Sequence, residues 1–254
     1  MIIFYYIFRL CKIINCIFVT RFYKIYNLFY LKKHNVTIGK NPIMLDQIIM
    51  KITNESKVKI GDNFRFLSGL RFIDISPAIL GSITVKPNAV LSIGDNVGIS
   101  SSSLLSFNNI TIGNNVLIGA GSLIMDTNGH SMDPFERKLE SMTGVGRSGI
   151  PVVIEDDVWI GSNCSILGGA HVCRGAVIAI NSVIKSKIPP YAIAIGNPAK
   201  VVGFVLTPEE IVENEKLYYP ENQRLPLDLL EKNYYKYYLN CSKEIRTFSS
   251  SICK

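Results

Sequence analysis

"VIEDDVWIGSNCSILGGAHVCRGAVIAINSVI", residues 153–184, sets Ile or Val at 154, 160, 166, 172, 178 and 184, with Val158, Cys164, Ala170, Ala176 and Ser182 two places before five of them. An interval of six fits neither an α-helix, whose apolar face returns about every 3.6 residues, nor a lone amphipathic strand, which alternates with period two. The beat continues at Ile112, Ile118 and Ile124, at Ile93, Ile99 and Leu105, and at Ile60, Phe66 and Phe72. The earlier partner follows it as Ile110, Val116 and Ser122, as Leu91, Val97 and Ser103, and as Val58, Phe64 and Leu70. "IGDN" at 60 and 93, "IGNN" at 112 and "IGSN" at 160 supply Gly and Asn, which tolerate the positive φ of tight turns. A six-residue period with such turns is the mark of a parallel β-helix: each hexad gives a very short strand and a corner, and the aliphatic side chain points inward. Coils then stack about 4.8 Å apart, and the smaller residues two places earlier keep the interior from being overfilled.

The beat breaks in two places. Between Leu105 and Ile112 the step is seven, so a residue is added near Asn108 and Asn109. Over 125–153, "MDTNGHSMDPFERKLESMTGVGRSGIPVV" offers Gly, Pro, Ser and charge where aliphatics are needed, and reads as a loop thrown out from the stack. Long loops in compact folds tend to carry function. Beyond "IPPYAIAIGNPAK" at 188–200, "TPEE" at 207–210 opens a helix with Thr207 as N-cap, Pro208 at N1 and Glu210 at N3. The expected organisation is a helical segment over 1–35, a β-helix domain over 36–204 and a helical tail over 205–254.

With 48% hydrophobic and 19% charged residues in 254, the chain is a folded body and not a disordered one. Six cysteines without a C-x-x-C pair argue against a disulfide scaffold or zinc ribbon and for reduced thiols in cytoplasm. Much of the net charge of +7 lies at the front, where residues 1–33 hold six Lys or Arg and no acid precedes Asp46. Its uncharged runs fall far short of the roughly 20 residues that span a bilayer, and no small-residue cleavage site follows, so neither a transmembrane helix nor a secretory signal is expected. Two readings stay open: a basic aromatic helix lying on an anionic inner-membrane surface, or a helix packed on a neighbouring subunit or on the end of the repeat body. Nucleic acid is not an expected partner, because the cations sit among large aliphatics without a nucleic-acid motif.

The hexads, "NGH" at 128–130, "VWIGSNCSILGG" at 158–169 and "IPPYAIAIGNPAKVV" at 188–202 together resemble the hexapeptide-repeat acyltransferases, in the branch of maltose, galactoside and bacterial polysaccharide O-acetyltransferases. The resemblance covers roughly residues 36–204. It implies a left-handed parallel β-helix that forms a homotrimer and binds acetyl-CoA in clefts between subunits, with no metal required.

Acetyl transfer to a sugar hydroxyl needs a base, and imidazole titrates near working pH. Of three histidines, His34 sits among lysines before the repeat and His171 lies in a hexad where an outward structural side chain is expected. His130, on the loop, matches the family's catalytic base, with Asp133 a candidate for orienting it or for capping a turn. Trp159, one residue before an inward isoleucine, should face outward. The resemblance puts it against the cofactor or the acceptor; packing on a neighbouring subunit is the alternative. Gly161, Ser162, Ile180, Lys185 and Ser186 match positions that approach acetyl-CoA, and Lys200 matches a basic position near its phosphates. Gly203 stands where close relatives carry a second basic residue. "GISSSS" at 98–103 replaces the Asn-containing acceptor segment of the galactoside and maltose enzymes, pointing away from those sugars. Ser100 and Ser102, with Asn128, are candidates for binding the saccharide acceptor, although serines also fill tight β-helix turns.

The expected function is therefore acetyl-CoA-dependent O-acetylation of a surface polysaccharide, capsule or O-antigen, or of its precursor. A small-sugar or xenobiotic acceptor is the nearest alternative. Rivals of other classes are a non-catalytic β-helix scaffold and a zinc enzyme of the γ-carbonic anhydrase type, for which no His pair has ligand spacing.

Overall fold

The computed structural model describes residues 2–69, 80–143, 149–240 and 246–247. Strands of two to four residues are too short to persist alone, and here they survive by stacking. Thr37–Ile38 joins a seven-stranded sheet (face A), Ile43–Leu45 a nine-stranded sheet (face B) and Ile49–Ile52 a six-stranded sheet (face C). Lys57–Ile60 then returns to face A, pairing in parallel with the strand three earlier, and the rotation repeats through Val183–Ile184. The result is a left-handed parallel β-helix of triangular section.

Register lines the inward residues into columns. Face A stacks Ile60, Ile93, Ile112, Ile154, Val172 and Ile188. Face B stacks Met44, Phe66, Ile99, Ile118, Ile160 and Ile178, and face C stacks Ile83, Leu104, Ile124, Ile166 and Ile184. All are buried, and each side chain contributes about 1.5–3 kcal/mol of apolar transfer. One residue departs from the expected beat. Leu104, not Leu105, enters the core and pairs with Ile124, while Leu105 is half-buried opposite Met125. The corner at Ser101, with φ of 33°, is one residue short, so Ser102 takes the inward place expected of Ser103. The next corner, at Phe107 and Asn108, absorbs the difference. Leu70 and Phe72 lie outside the described residues, as do Cys241 and Cys253.

A polar ladder holds the corner between faces A and B. Asn63, Asn96 and Asn115, all left-handed, pass side-chain amide hydrogen bonds of 2.9–3.0 Å up the stack to Asp157. The corner between B and C is filled by Ser102, Ser122, Cys164 and Ser182, all buried. Cys16, Cys164 and Cys173 are free thiols.

Helix α1 (Ile2–Lys33) closes the first coil with its C-terminal half: Leu31 is buried, Asn27 donates to the Asp46 carbonyl at 2.9 Å, and the Tyr30 hydroxyl accepts from Ile52 N at 3.3 Å. His34 stacks on Tyr30. Packing on the end of the repeat body is thus realised for one face of α1. Within the loop expected over 125–153 a second helix forms, α2 (Pro134–Thr143). At the other end, Ala192–Gly196 and Ala199–Phe204 make an antiparallel hairpin on face B. The tail carries α3 (Pro208–Tyr218) and α4 (Leu227–Asn240). The capping box is formed as expected: Glu210 N donates to Thr207 Oγ1 and Thr207 N to Glu210 Oε2. Buried Glu215 ties α3 to the prism, accepting from Arg174 Nη1 at 3.1 Å and from the Tyr191 hydroxyl at 3.0 Å. Among the described residues no helix is long and apolar enough to cross a membrane.

Candidate active site

The insertion leaves the prism at the corner between faces C and A, and a buried carboxylate fixes where. Asp126 accepts from Phe107 N at 2.8 Å, from Asn108 N at 2.7 Å and from Ser106 Oγ at 3.2 Å. The lengthened corner below thus offers two backbone N–H groups, and the carboxylate grips both. The other end of the insertion is tied to the same point. Asn108 Nδ2 donates to the Gly149 carbonyl at 2.8 Å, and Ile150 N donates to the Asp126 carbonyl at 2.5 Å. A Cβ at Gly149 would lie 2.6 Å from Asp126 Oδ1, so glycine alone fits. Asp126 was not among the expected site residues; its signal was the seven-residue step one coil earlier.

Between these anchors, α2 begins where Asp133 Oδ1 accepts from Phe135 N at 2.8 Å, an Asp-Pro start that reading the segment as plain loop overlooked. The polar face of α2 folds back on the residue after His130. Ser131 N donates to Glu140 at 3.0 Å, Ser131 Oγ donates to Glu136 Oε2 at 2.6 Å, and Arg137 Nη1 donates to the Ser131 carbonyl at 2.9 Å. Glu140 is held by this clamp with its side chain only 12% exposed, and its Oε2 stands 3.4 Å from His130 Nδ1. That is ion-pair range, a few tenths of an ångström beyond a good hydrogen bond. Of the two roles open to Asp133, capping is the one seen, at the start of α2, and it is Glu140 that lies beside the ring.

The His130 side chain is 71% exposed and lines a cavity of about 630 Å³ with Asn128, Ser131, Arg137, Leu167, Gly168 and Lys185. Two cations and an imidazole thus border one open space. Ser186, also exposed, follows Lys185 at this corner.

The other expected residues lie elsewhere on the prism. Trp159 projects from face B, 57% exposed, opposite the corner that carries His130. It borders an apolar groove of about 330 Å³ with Leu67, Ile99, Ser100 and Leu117. Gly161, Ser162 and exposed Ile180 occupy the corner between B and C, where a Cβ on Gly161 would come 2.8 Å from Ile180 N. Exposed Lys200 lies on the hairpin, opposite Ile195. Ser102 faces inward, its hydroxyl oxygen 2.8 Å from both the Ser100 and Gly119 carbonyls, which share its one proton, and this is the turn-filling role. The expected residues therefore fall into two groups on one chain: Asn128, His130, Lys185 and Ser186 at one corner, and Ser100, Trp159, Gly161, Ser162, Ile180 and Lys200 across the opposite face.

His171 is outward and engaged, its Nε2 2.5 Å from Glu155 Oε1, whose partner oxygen accepts from Arg174 N at 2.9 Å. Cys173 beside them is pushed up to about 12 by burial and then by Glu155. The three donor atoms lie within 4.8 Å of one another, the grouping among the described residues that could hold a metal ion. Direct hydrogen bonding accounts for their closeness.

Residues 151–186 match the family model described as bacterial transferase hexapeptide, six repeats, and residues 109–129 that of the hexapeptide repeat of succinyl-transferase. The chain is 31% identical to a putative acetyltransferase of Saccharomyces cerevisiae, YJL218W, over 171 residues, which are 62% of this chain and 84% of that one. It is 32% identical to the galactoside O-acetyltransferase of Escherichia coli over 142 residues, 53% of this chain and 64% of that one. It is 29% identical to WbbJ of Escherichia coli, a putative lipopolysaccharide biosynthesis O-acetyl transferase, over 163 residues, 59% of this chain and 74% of that one.

Proposed function

Because the chain belongs to the hexapeptide-repeat acetyltransferase family, we propose that it transfers acetyl from acetyl-CoA to a sugar hydroxyl of a bacterial surface polysaccharide or its precursor, as a cytoplasmic homotrimer. The observation that carries this reading is the His130–Glu140 pair beside an open, cation-bordered cavity.

Acetyl-CoA supplies the activated acyl group as a thioester. His130 Nε2, the ring nitrogen not facing Glu140, removes the acceptor's hydroxyl proton as the sugar oxygen bonds to the carbonyl carbon and the carbon–sulfur bond breaks. The imidazolium returns that proton to the departing thiolate, so acid and base are one residue and no covalent enzyme intermediate is needed. Glu140 stabilises the cation while it exists and fixes the ring. Backbone N–H groups near the flanking coils serve the charge that grows on the carbonyl oxygen.

Face B completes the site from the next subunit. Trp159 covers the pantetheine arm, Gly161, Ser162 and Ile180 allow its close approach and Lys200 meets its phosphates, while Lys185 and Ser186 meet its polar groups from the His130 corner. Asn128 and Ser100 serve the saccharide. The trimer is supported by apolar surface on both half-sites: Phe135, Leu139 and Met142 are exposed along α2, with exposed Met132 just before it, and Leu117 and Trp159 line the groove on face B. A polysaccharide acceptor is supported by likeness to a protein named for lipopolysaccharide biosynthesis.

The test is chemical analysis of surface glycan from producing cells with and without the gene. Loss of O-acetyl from one sugar is the expected result; an unchanged glycan rejects the assignment.

A further inference from the structure

The two faces of α1 have different fates. At about 100° per residue, Tyr23, Asn27, Tyr30 and Leu31 fall on the side that docks on the first coil, while Phe18, Phe22, Ile25 and Phe29 fall within an arc of roughly 60° on the opposite side. Those four side chains are 51–70% exposed. The docked side is fixed by the Asn27 and Tyr30 hydrogen bonds and by buried Leu31, so α1 cannot roll to hide the ridge without unseating the cap. Arg21 and Lys32 flank the ridge on one edge and Lys33 on the other; in all, α1 holds six Lys or Arg and no acid. Exposed Lys40 and Lys51, on the coil that α1 caps, add cations at the same end of the prism.

From this arrangement we infer that the Phe18–Phe22–Ile25–Phe29 ridge of α1 seats the N-terminal end of the prism on an anionic lipid surface, without crossing it. Aromatic and aliphatic groups enter the headgroup boundary while the flanking cations meet lipid phosphates. Charge decides against a second copy of the chain as occupant. Pairing two such ridges would bring Arg21, Lys32 and Lys33 against their own kind with no carboxylate on either helix to answer them. Lipid phosphate supplies the missing anions. Acyl transfer is not needed for this contact, so binding and activity can fail separately.

The experiment is flotation of the full-length protein with vesicles of phosphatidylcholine alone, and of phosphatidylcholine with 30% phosphatidylglycerol, alongside sedimentation to read its assembly state. Each cation near an anionic surface is worth roughly a factor of five, so four of them should give at least about 100-fold tighter binding to the anionic vesicles, falling steeply at 0.5 M salt. Phe22→Ser with Phe29→Ser, on the exposed side, should lower that binding at least about 10-fold while leaving the circular dichroism and assembly state unchanged. Arg21→Gln with Lys32→Gln, on one edge of the ridge, should cut the preference for anionic lipid about 25-fold. Equal binding to both vesicle types, no binding to either, or a serine variant that changes the assembly state would overturn the inference.

Discussion

If the catalytic site is shared between neighbours, two individually defective chains should repair each other. His130→Ala removes the base from the corner between faces C and A, for which about 10²–10⁴-fold of rate is expected to be lost. Trp159→Glu alters the opposite face: it deletes the aromatic contact and sets an anion where an anionic cofactor is proposed to lie. At acetyl-CoA well below KM that should cost about 30-fold or more, equivalent to about 2 kcal/mol. Both side chains point outward, 71% and 57% exposed, so neither change should unfold the prism. When the two chains are unfolded together in equal amounts and refolded as mixed trimers, each junction draws its His130 from one chain and its Trp159 from the next. Each draw succeeds half the time, so about one junction in four is intact. Thiol release from acetyl-CoA, with glycan extract of producing cells as acceptor, should therefore return to about a quarter of the wild-type rate, from a few per cent or less in either parent. A mixture no more active than its parents would show that both residues act within one chain, and the shared-site geometry would be wrong.

Glu140→Gln should slow turnover by about 5- to 30-fold, the low end of what a charge 3.4 Å from a largely exposed imidazolium offers; Asp133→Asn should change kcat less than about threefold, and the reverse order would restore Asp133 as the orienting group. Ile160→Ala, at the centre of the face B column, should lower stability in urea by about 2–5 kcal/mol. The Tyr234 hydroxyl is buried without a hydrogen-bond partner among the described residues, so Tyr234→Phe should leave stability unchanged or raise it by about 1 kcal/mol. Burial, followed by nearby acids, pushes the pKa of Tyr191, Tyr219 and Tyr234 up from the usual tyrosine value. Burial and then Glu155 take Cys173 to about 12. The folded chain keeps these protons to higher pH than the unfolded one. Their stabilisation is whole below the unfolded values of about 8.5 for Cys and 10 for Tyr, and drains away as pH rises above them. The melting temperature should accordingly fall from about pH 9 upward, less steeply in Tyr234→Phe; a flat alkaline limb would contradict the burial of these groups.

The prism was legible because its period is rigid. Once every coil must spend six residues per face, Ile154 through Ile184 announce three columns, and the outward place of Trp159 follows from Ile160. The places that misled were those where a corner changed length. The short turn at Ser101 and the long one at Phe107–Asn108 compensate almost completely, so counting from Leu105 hid the shift that buries Leu104 and turns Ser102 inward. Glu140 was missed for another reason. It meets His130 only because α2 folds back over ten residues, and the local Asp133, nearer in sequence, reads equally well as a partner or a cap. Asp126 is the same lesson reversed, since the seven-residue step marks the lengthened corner but not the carboxylate one coil on that grips its two N–H groups.

Transfer kinetics and cofactor binding of His130→Ala, measured side by side, bear most directly on the chemistry. Calorimetry should find acetyl-CoA affinity within about threefold of wild type, while acetyl transfer to the glycan falls by about 10²–10⁴. A variant that binds acetyl-CoA and still turns over at more than a tenth of the wild-type rate would mean that this imidazole is not the base.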